Sequence, residues 1–299
     1  MSKSFDSAGL TFRKDYFDDR AAWTALVSLL DDTFGIDIGP LRHLGGPDPT
    51  SMPFGWFASN DTLAANLTAF AMPIVVNGRQ IEAGAFQSGA VRPPWRRRGL
   101  YRDLTRKALE WCEGRQFEAI VLYTDKPSLY ESYGFSILPM HRYCGGAPKP
   151  RSATNSARQL DPWNKTDLAL LQEALKTRAP VSDVLAVSGN AAMFLVNTQL
   201  DTEVRLSWLD EEKAIIAWKA GAAGRFSLLD VVAAEIPPLA VILGRLGALP
   251  EHVDVFFSPD KLDWGGEAVA FDNGTAFMLR TTTDLAPASP AMLSPMADF

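Results

Sequence analysis

The chain of 299 residues has only two cysteines, Cys112 and Cys144. They give neither a disulfide framework nor the paired spacing of a structural zinc site, which suits a reducing compartment. Apolar runs are short as well. None approaches the ~18 residues that a membrane-spanning helix needs. The opening Met1-Ser2-Lys3-Ser4-Phe5-Asp6 lacks the apolar core of a secretory signal. These absences lead to the expectation of a soluble, cytoplasmic protein without a membrane partner. Basic excess is missing too: the formal net charge is −6. That weighs against nucleic acid as a partner, since such binding rests on neutralising phosphates. Apolar content is ample, at 47% hydrophobic residues. The length suits one large domain or two of ordinary size.

The most informative stretch is residues 84–109. Residues 84–91 are small and apolar and read as a strand, which Pro93-Pro94 ends because proline cannot donate to a ladder. After Gly99 the apolar residues Leu100, Leu104, Ala108 and Trp111 recur at helical spacing. Between strand and helix lies Arg96-Arg97-Arg98-Gly99. Such a loop suits an anion, because the first helical N–H groups are unpaired, the helix dipole favours negative charge, and the arginines add charge directly. Taken alone, three consecutive arginines equally fit a solvated turn or a nucleic-acid patch.

The stretch resembles the acyl-CoA loop of the GNAT (Gcn5-related) N-acetyltransferases, a Gln/Arg-x-x-Gly-x-Gly/Ala motif that follows a strand. Arg96 fills its first position and Gly99 its glycine, while Tyr101 stands where the motif has a small residue. Downstream, Leu129-Tyr130-Glu131-Ser132-Tyr133-Gly134-Phe135 resembles the Tyr-x-x-x-Gly-Phe segment of the same family. A helix and a strand separate the two landmarks, as a parallel β–α–β unit requires. The resemblance implies an α/β (α+β) mixed-sheet fold, acetyl-CoA as cosubstrate, a small-molecule primary amine as acceptor, and no metal. It implies that the pantetheine arm pairs along Gly89, Ala90 and Val91, with a backbone N–H there holding the oxyanion. The pyrophosphate would fall on Arg96, Arg97, Arg98, Gly99, Leu100, Tyr101 and Arg102, with further contacts at Asp125 and Lys126. Tyr130 fills the catalytic tyrosine position and would protonate the leaving thiolate. A phenol of pKa ~10 and a thiol of ~8.5 are close enough to share the proton. Tyr133 is the rival, which the spacing to Gly134 disfavours.

Around this stretch the pattern gives a helix after Asp18-Asp19 that stops at Gly35, and a glycine- and proline-rich loop over 39–53. A strand follows over 63–76 with Pro73 at an edge or bulge, then a hairpin turn at Asn77-Gly78. Residues 119–123 read as a buried parallel strand and 136–142 as the last strand of the first half. Gly and Pro mark a boundary at 145–152. Beyond it come a helix capped by Thr166, a hairpin around Asp210-Glu211-Glu212, a strand over 226–232, and a helix opened by Pro237-Pro238. Strands over 253–257 and 268–280 complete the order, the latter turning at Asn273-Gly274. The element order repeats. The expectation is a GNAT domain over 1–145, a linker over 146–160, a degenerate GNAT-like half over 161–283 and a tail over 284–299. The second half lacks an anion loop, since Gly221-Ala222-Ala223-Gly224-Arg225 precedes a strand rather than a helix.

A closer resemblance is to the Eis-type (enhanced intracellular survival) acetyltransferases, which share the Arg-Arg-Arg-Gly-Leu loop, the Tyr-x-x-x-Gly-aromatic segment and tandem halves. In that group a C-terminal aromatic residue brings its carboxylate into the active site as the base. This implies Phe299 in that role here. Pro287, Pro290 and Pro295 lower the entropy cost of an extended tail, and Met292, Leu293 and Met296 give it apolar anchors, so it is expected to fold back between the halves, towards Tyr130. Eis-type chains are longer and carry a sterol-carrier-like domain after the second half. One alternative is therefore a sterol-carrier-like second half with residues 239–249 lining a cavity. Another is a catalytically silent acyl-CoA-binding or regulatory protein. The acceptor site is expected between the 39–57 loop and the acidic hairpin at Asp210. Assembly into a homo-oligomer is left open.

Overall fold

The computed structural model describes residues 5–151, 156–221 and 224–299. Residues 1–4, part of the expected linker (152–155) and residues 222–223 of the glycine-rich turn lie outside the described residues. β1 (Leu10–Lys14) leads into α1 (Arg20–Phe34). Asp19 caps α1 by accepting the N–H groups of Ala21 (2.8 Å) and Ala22 (3.1 Å), and Gly35 ends it at φ 67°. β2 (Met52–Ala58) and β3 (Leu63–Ala71) follow, then β4 (Ile74–Val76) and β5 (Arg79–Ile81). These last two form the expected hairpin: Asn77 and Gly78 both have positive φ, 51° and 76°, as a type I′ turn requires. β6 (Ala83–Val91), α2 (Leu100–Gly114) and β7 (Ala119–Thr124) make the parallel β–α–β unit. The single strand expected over 136–142 is instead two, β8 (Ser136–Ile137) and β9 (His141–Gly146), with Pro139 between them.

The remaining elements are β10 (Arg158–Leu160), α3 (Lys165–Thr177), β11 (Leu185–Val187), α4 (Ala191–Leu200), β12 (Arg205–Leu209), β13 (Ala214–Ala220), β14 (Arg225–Val232), α5 (Leu239–Leu246), β15 (His252–Val255), β16 (Glu267–Ala270) and β17 (Ala276–Thr281). Asn164, rather than Thr166, caps α3: its side-chain oxygen accepts the N–H groups of Thr166 (2.9 Å) and Asp167 (3.3 Å).

Among the described residues two seven-stranded sheets result, ordered β1-β2-β3-β6-β7-β17-β8 and β10-β12-β13-β14-β15-β9-β16. The orders correspond position by position. In each, three antiparallel strands lead to a fourth that runs parallel to the fifth across a helix. In each, the sixth strand comes from the other half of the chain. β17 pairs with both β7 and β8, and β9 pairs with both β15 and β16. Two expectations change as a result. Asn273-Gly274 does not turn a hairpin, because β16 and β17 belong to different sheets. The boundary expected at 145–146 falls inside β9. A three-stranded sheet, β11-β4-β5, also joins the halves.

α1 covers one face of the first sheet through Trp23, Leu26 and Leu29, and α2 the other through Leu100, Leu104 and Ala108. α4 is apolar nearly all round because it serves two cores: Met193 and Val196 face the first, Phe194 and Leu195 the second. Leu239, Ile242 and Leu243 of α5 are fully buried against Leu209, Ile216, Phe226 and Val253. They fill a core and do not line a lipid cavity. No helix among the described residues is long and apolar enough to cross a membrane.

The tail lies along the junction of the sheets. Asn77 fixes its start, donating to Ala286 O (3.0 Å) and accepting from Ala288 N (2.8 Å). Further on, Ser294 Oγ bonds Leu229 O (3.0 Å) and Asp230 Oδ2 (2.9 Å), and Asp230 pairs with Arg178 at 2.6 Å. The side chains of Arg178 and Asp230 are 7% and 1% exposed. Removing one partner of so buried a pair costs ~3–5 kcal/mol.

The exchange of strands predicts that residues 1–145 alone do not fold. The fragment loses Phe277, Met278 and Leu279 of β17, all buried. At ~1.5–3 kcal/mol per buried side chain the loss is roughly 5–9 kcal/mol, comparable with the whole stability of a domain at ~5–15 kcal/mol. Circular dichroism on heating should show no cooperative transition for the fragment, and a sharp one would contradict the topology.

Candidate active site

β6 and β7 pair from Ala83↔Ala119 to Phe86↔Leu122 and then part. On its other edge β6 stays with β3, but the register shifts between Asn66 and Thr68, and Ser88 takes up the bulge at φ 57°. Asn66 holds this bulge. It is fully buried, donates to Ser88 O (2.8 Å) and Thr68 Oγ1 (3.3 Å), and accepts the hydroxyl of Tyr16. Burial pushes the Tyr16 phenol far above its usual 10. Neither residue was expected at the site. The legible signal was Asn66 itself, a polar residue inside an apolar strand, which must find partners when buried.

The arginine loop connects this parted edge to α2 through a 3-10 turn at Pro93–Trp95. Gly99 caps the helix at φ 78°, a conformation that favours glycine, and brings no side chain to occupy the first amides. The first helical bond runs from Asp103 N–H to Gly99 O (3.1 Å), so the amides of Leu100 and Tyr101 stand ahead of it. Arg96 and Arg97 are exposed. Arg96 Nε donates to Val91 O (3.0 Å), which ties the loop to the end of β6. Arg98 differs from its neighbours. It donates to Asp6 O (3.1 Å) and Ala8 O (2.7 Å) and pairs with the Asp6 carboxylate (3.1 Å), so it anchors the N-terminal segment. Asp103, an acid in the first turn, is neutralised by Lys107 (3.2 Å) and accepts the Trp56 indole N–H (3.1 Å). Arg102 lies near Tyr133.

Tyr130 sits between short 3-10 turns at Pro127–Leu129 and Glu131–Tyr133, is 6% exposed, and packs edge-on against Phe135 at 5.8 Å. Its hydroxyl bonds the hydroxyl of Tyr101. The Tyr101 hydroxyl lies directly over Gly89, where a Cβ would sit 2.2 Å from it. Gly89, Tyr101 and Tyr130 thus converge in the parting of β6 and β7. Burial raises both phenols above 10. For Tyr130 the bond from Tyr101 opposes this, while Asp125 and Tyr133 add to it.

Three expected residues lie elsewhere. Asp125 and Lys126 are exposed and pair with each other at 2.9 Å. Asp125 helps line a cleft of ≈ 390 Å³ on the β17 side of β7, with Met140, Phe271, Asp272 and Thr275. Phe299 packs edge-on against Phe70 (5.6 Å) and Tyr123 (5.5 Å), in the core beneath α1, whereas Tyr130 belongs to the core beneath α2. The ring is therefore against Tyr123 and not Tyr130. Beside it, Asp298 accepts the Phe299 N–H (2.9 Å) and lines a ≈ 50 Å³ cavity that shares Met140, Phe271 and Thr275 with the larger cleft. Burial pushes the Asp298 carboxyl up to about 6. The acids of the hairpin are occupied: Asp210 by Lys213 (3.0 Å), Glu211 and Glu212 by Arg245. Asp125 and Asp272 line the larger cleft instead, and Asp298 the smaller cavity.

The second half has the same parting, since β14 pairs with β15 only over Arg225–Leu228. The counterpart of the arginine loop is residues 233–238, which hold Glu235 and Pro237-Pro238 and no glycine. Proline has no N–H to offer, and the Leu239 N–H already donates to Leu262 O (2.8 Å). Asp230, Arg178 and Ser294 occupy that parting.

Residues 44–138 match the family model described as an acetyltransferase (GNAT) domain. No curated protein sequence matches the chain. Among solved structures, Eis1 from Mycobacterium abscessus aligns over 91% of this chain and 73% of its own, at 15% identity and a TM-score of 0.59. A GCN5-related N-acetyltransferase from Kribbella flavida aligns over 92% and 72%, at 17% identity and a TM-score of 0.55. A probable N-acyltransferase from Enterococcus faecalis aligns over 91% and 72%, at 11% identity and a TM-score of 0.57. The likeness extends through both halves of the chain.

The Asp298 carboxyl sets a pH dependence of stability. Its folded pKa, about 6, lies above its ordinary 3.8. Its contribution is therefore fully present below pH 3.8 and lost as pH rises through 6, at roughly 3 kcal/mol for the full shift. Asp298→Asn keeps an oxygen for the Phe299 N–H and removes the charge. It should melt a few degrees above the wild type at pH 8 and level with it at pH 3.5. Equal melting at both pH values would place the carboxyl in water.

Proposed function

We propose that this chain, whose residues 44–138 match an acetyltransferase (GNAT) domain, moves an acetyl group from acetyl-CoA to a primary amine in a ternary complex. One arrangement carries the reading: a glycine-capped helix N-terminus opens onto the parting of β6 and β7, and the Tyr130 hydroxyl lies in that parting. The residues fit the donor. The amides ahead of the first helical bond, with the exposed Arg96 and Arg97, suit a pyrophosphate. The edge of β6 beyond Phe86 suits the amides of a pantetheine arm, and its N–H groups suit the oxyanion.

The donor supplies an acetyl thioester. The amine nitrogen forms the new C–N bond as the C–S bond breaks, and Tyr130 gives its proton to the departing thiolate. The tail carries two candidates to receive the ammonium proton, directly or through water: the Phe299 α-carboxylate and the Asp298 side chain. A free α-carboxylate ordinarily titrates near ~3.5. The side chain of Asp298, at about 6, holds a proton far better at neutral pH. The acidic lining of the neighbouring cleft favours a cationic acceptor over a neutral one.

Release of free thiol from acetyl-CoA against a panel of primary amines tests the reading. With an amine that turns over, Tyr130→Phe should lower kcat by ~10²–10⁴-fold and leave acetyl-CoA affinity within a few-fold, since the hydroxyl acts only as thiolate forms. Wild-type kcat in that variant, with chemistry rate-limiting, would remove Tyr130 as the acid.

A further inference from the structure

We infer that Tyr101 is a positioning residue for Tyr130: its hydroxyl, seated over Gly89, holds the Tyr130 hydroxyl in the parting of the strands and donates to it as the phenolate forms. The inference rests on the acid role proposed for Tyr130 and assigns to it a partner from a different element.

Tyr101 is the second residue of α2, and its carbonyl accepts a bond from Thr105 Oγ1 (2.9 Å), which fixes the start of the helix. From there the side chain crosses to β6. It can approach only because position 89 has no Cβ: an added one would fall 2.2 Å from the Tyr101 hydroxyl and 3.1 Å from the nearest ring carbons. Tyr130 arrives from the other side, on the segment after β7, braced by Phe135. The titratable groups whose charge reaches the pair are Asp125 and Tyr133, and Arg102 and Arg106 act in turn on Tyr133. Asp125 and Tyr133 oppose a negative charge on Tyr130, and the bond from Tyr101 favours it. Burial pushes the Tyr101 phenol well above its usual value, so it keeps its proton. The step balances without moving that proton. The Tyr130 O–H bond breaks, the S–H bond of the leaving thiol forms, and Tyr130 then accepts a charge-assisted bond from Tyr101.

The first readout needs no acceptor. In protein labelled with ¹³C at the tyrosine ring carbon bearing oxygen, the Tyr130 signal is assigned by its loss in Tyr130→Phe. Its titration midpoint should rise in Tyr101→Phe. The second is kinetic. Tyr101→Phe should lower kcat by roughly 10- to 100-fold, the worth of one hydrogen bond to a charge, with KM for acetyl-CoA unchanged. The double variant Tyr101→Phe/Tyr130→Phe should be no slower than Tyr130→Phe alone. Gly89→Ala should displace the Tyr101 hydroxyl and lower kcat in the wild-type background, with little added loss in Tyr101→Phe, where the clashing oxygen is gone. An unmoved midpoint, or losses that multiply fully in the double variant, would overturn the inference. If Tyr130→Phe keeps full turnover while the midpoint still rises, the acid role fails and the hydroxyl pair stands.

Discussion

The insertion of β17 between β7 and β8 is the constraint on which the rest of the molecule depends. β7 forms one wall of the candidate site, and its outer edge is closed by a strand that lies about 150 residues further along the chain. β9 performs the reciprocal service between β15 and β16. Neither sheet is complete without the other half, so the halves fold together. The tail then runs along the junction that the exchange creates, fixed by Asn77 at one end and by the buried Arg178, Asp230 and Ser294 cluster further on. The same exchange forms the cleft beside β7, because residues 271–275, crossing from one sheet to the other, supply part of its lining.

Against that matched frame the two halves differ in chemistry. Both have a fourth strand that parts from the fifth, and both follow it with a crossover helix. The first half places a glycine and two exposed arginines ahead of its helix. The second places an acid and two prolines there, and fills the parting with an ion pair. One frame thus carries a candidate anion site once. The candidate reactant paths lie on opposite faces of the first sheet: the α2 side presents the loop and Tyr130, and the α1 side presents the tail with Asp298 and Phe299.

Much of the first half was legible because its signals are local. The Asp19 cap, the Asn77-Gly78 turn, the apolar run of β7 and the arginine loop each lie within a few residues of the feature they specify. The strand exchange was not legible, since pairing of Leu122 with Met278 leaves no local mark. α4 escaped because a helix buried between two cores has no polar face to give it a period. At the site, Gly99 and Tyr130 could be found from motif spacing. The structural use of Arg98 could not, since its partners lie at Asp6 and Ala8. The place of Tyr101 was visible only as a departure from the motif, and its meaning required knowing that Gly89 faces it.

The proposed function requires a single acyl-CoA site per chain, formed by the loop between β6 and α2. Calorimetric titration of the whole protein with coenzyme A tests this most directly. The predicted result is one site per chain, lost in Gly99→Asp, where a side chain must adopt φ 78° and a negative charge meets the pyrophosphate, and kept in Glu235→Gln. Two sites per chain, or binding that survives Gly99→Asp unchanged, would contradict it.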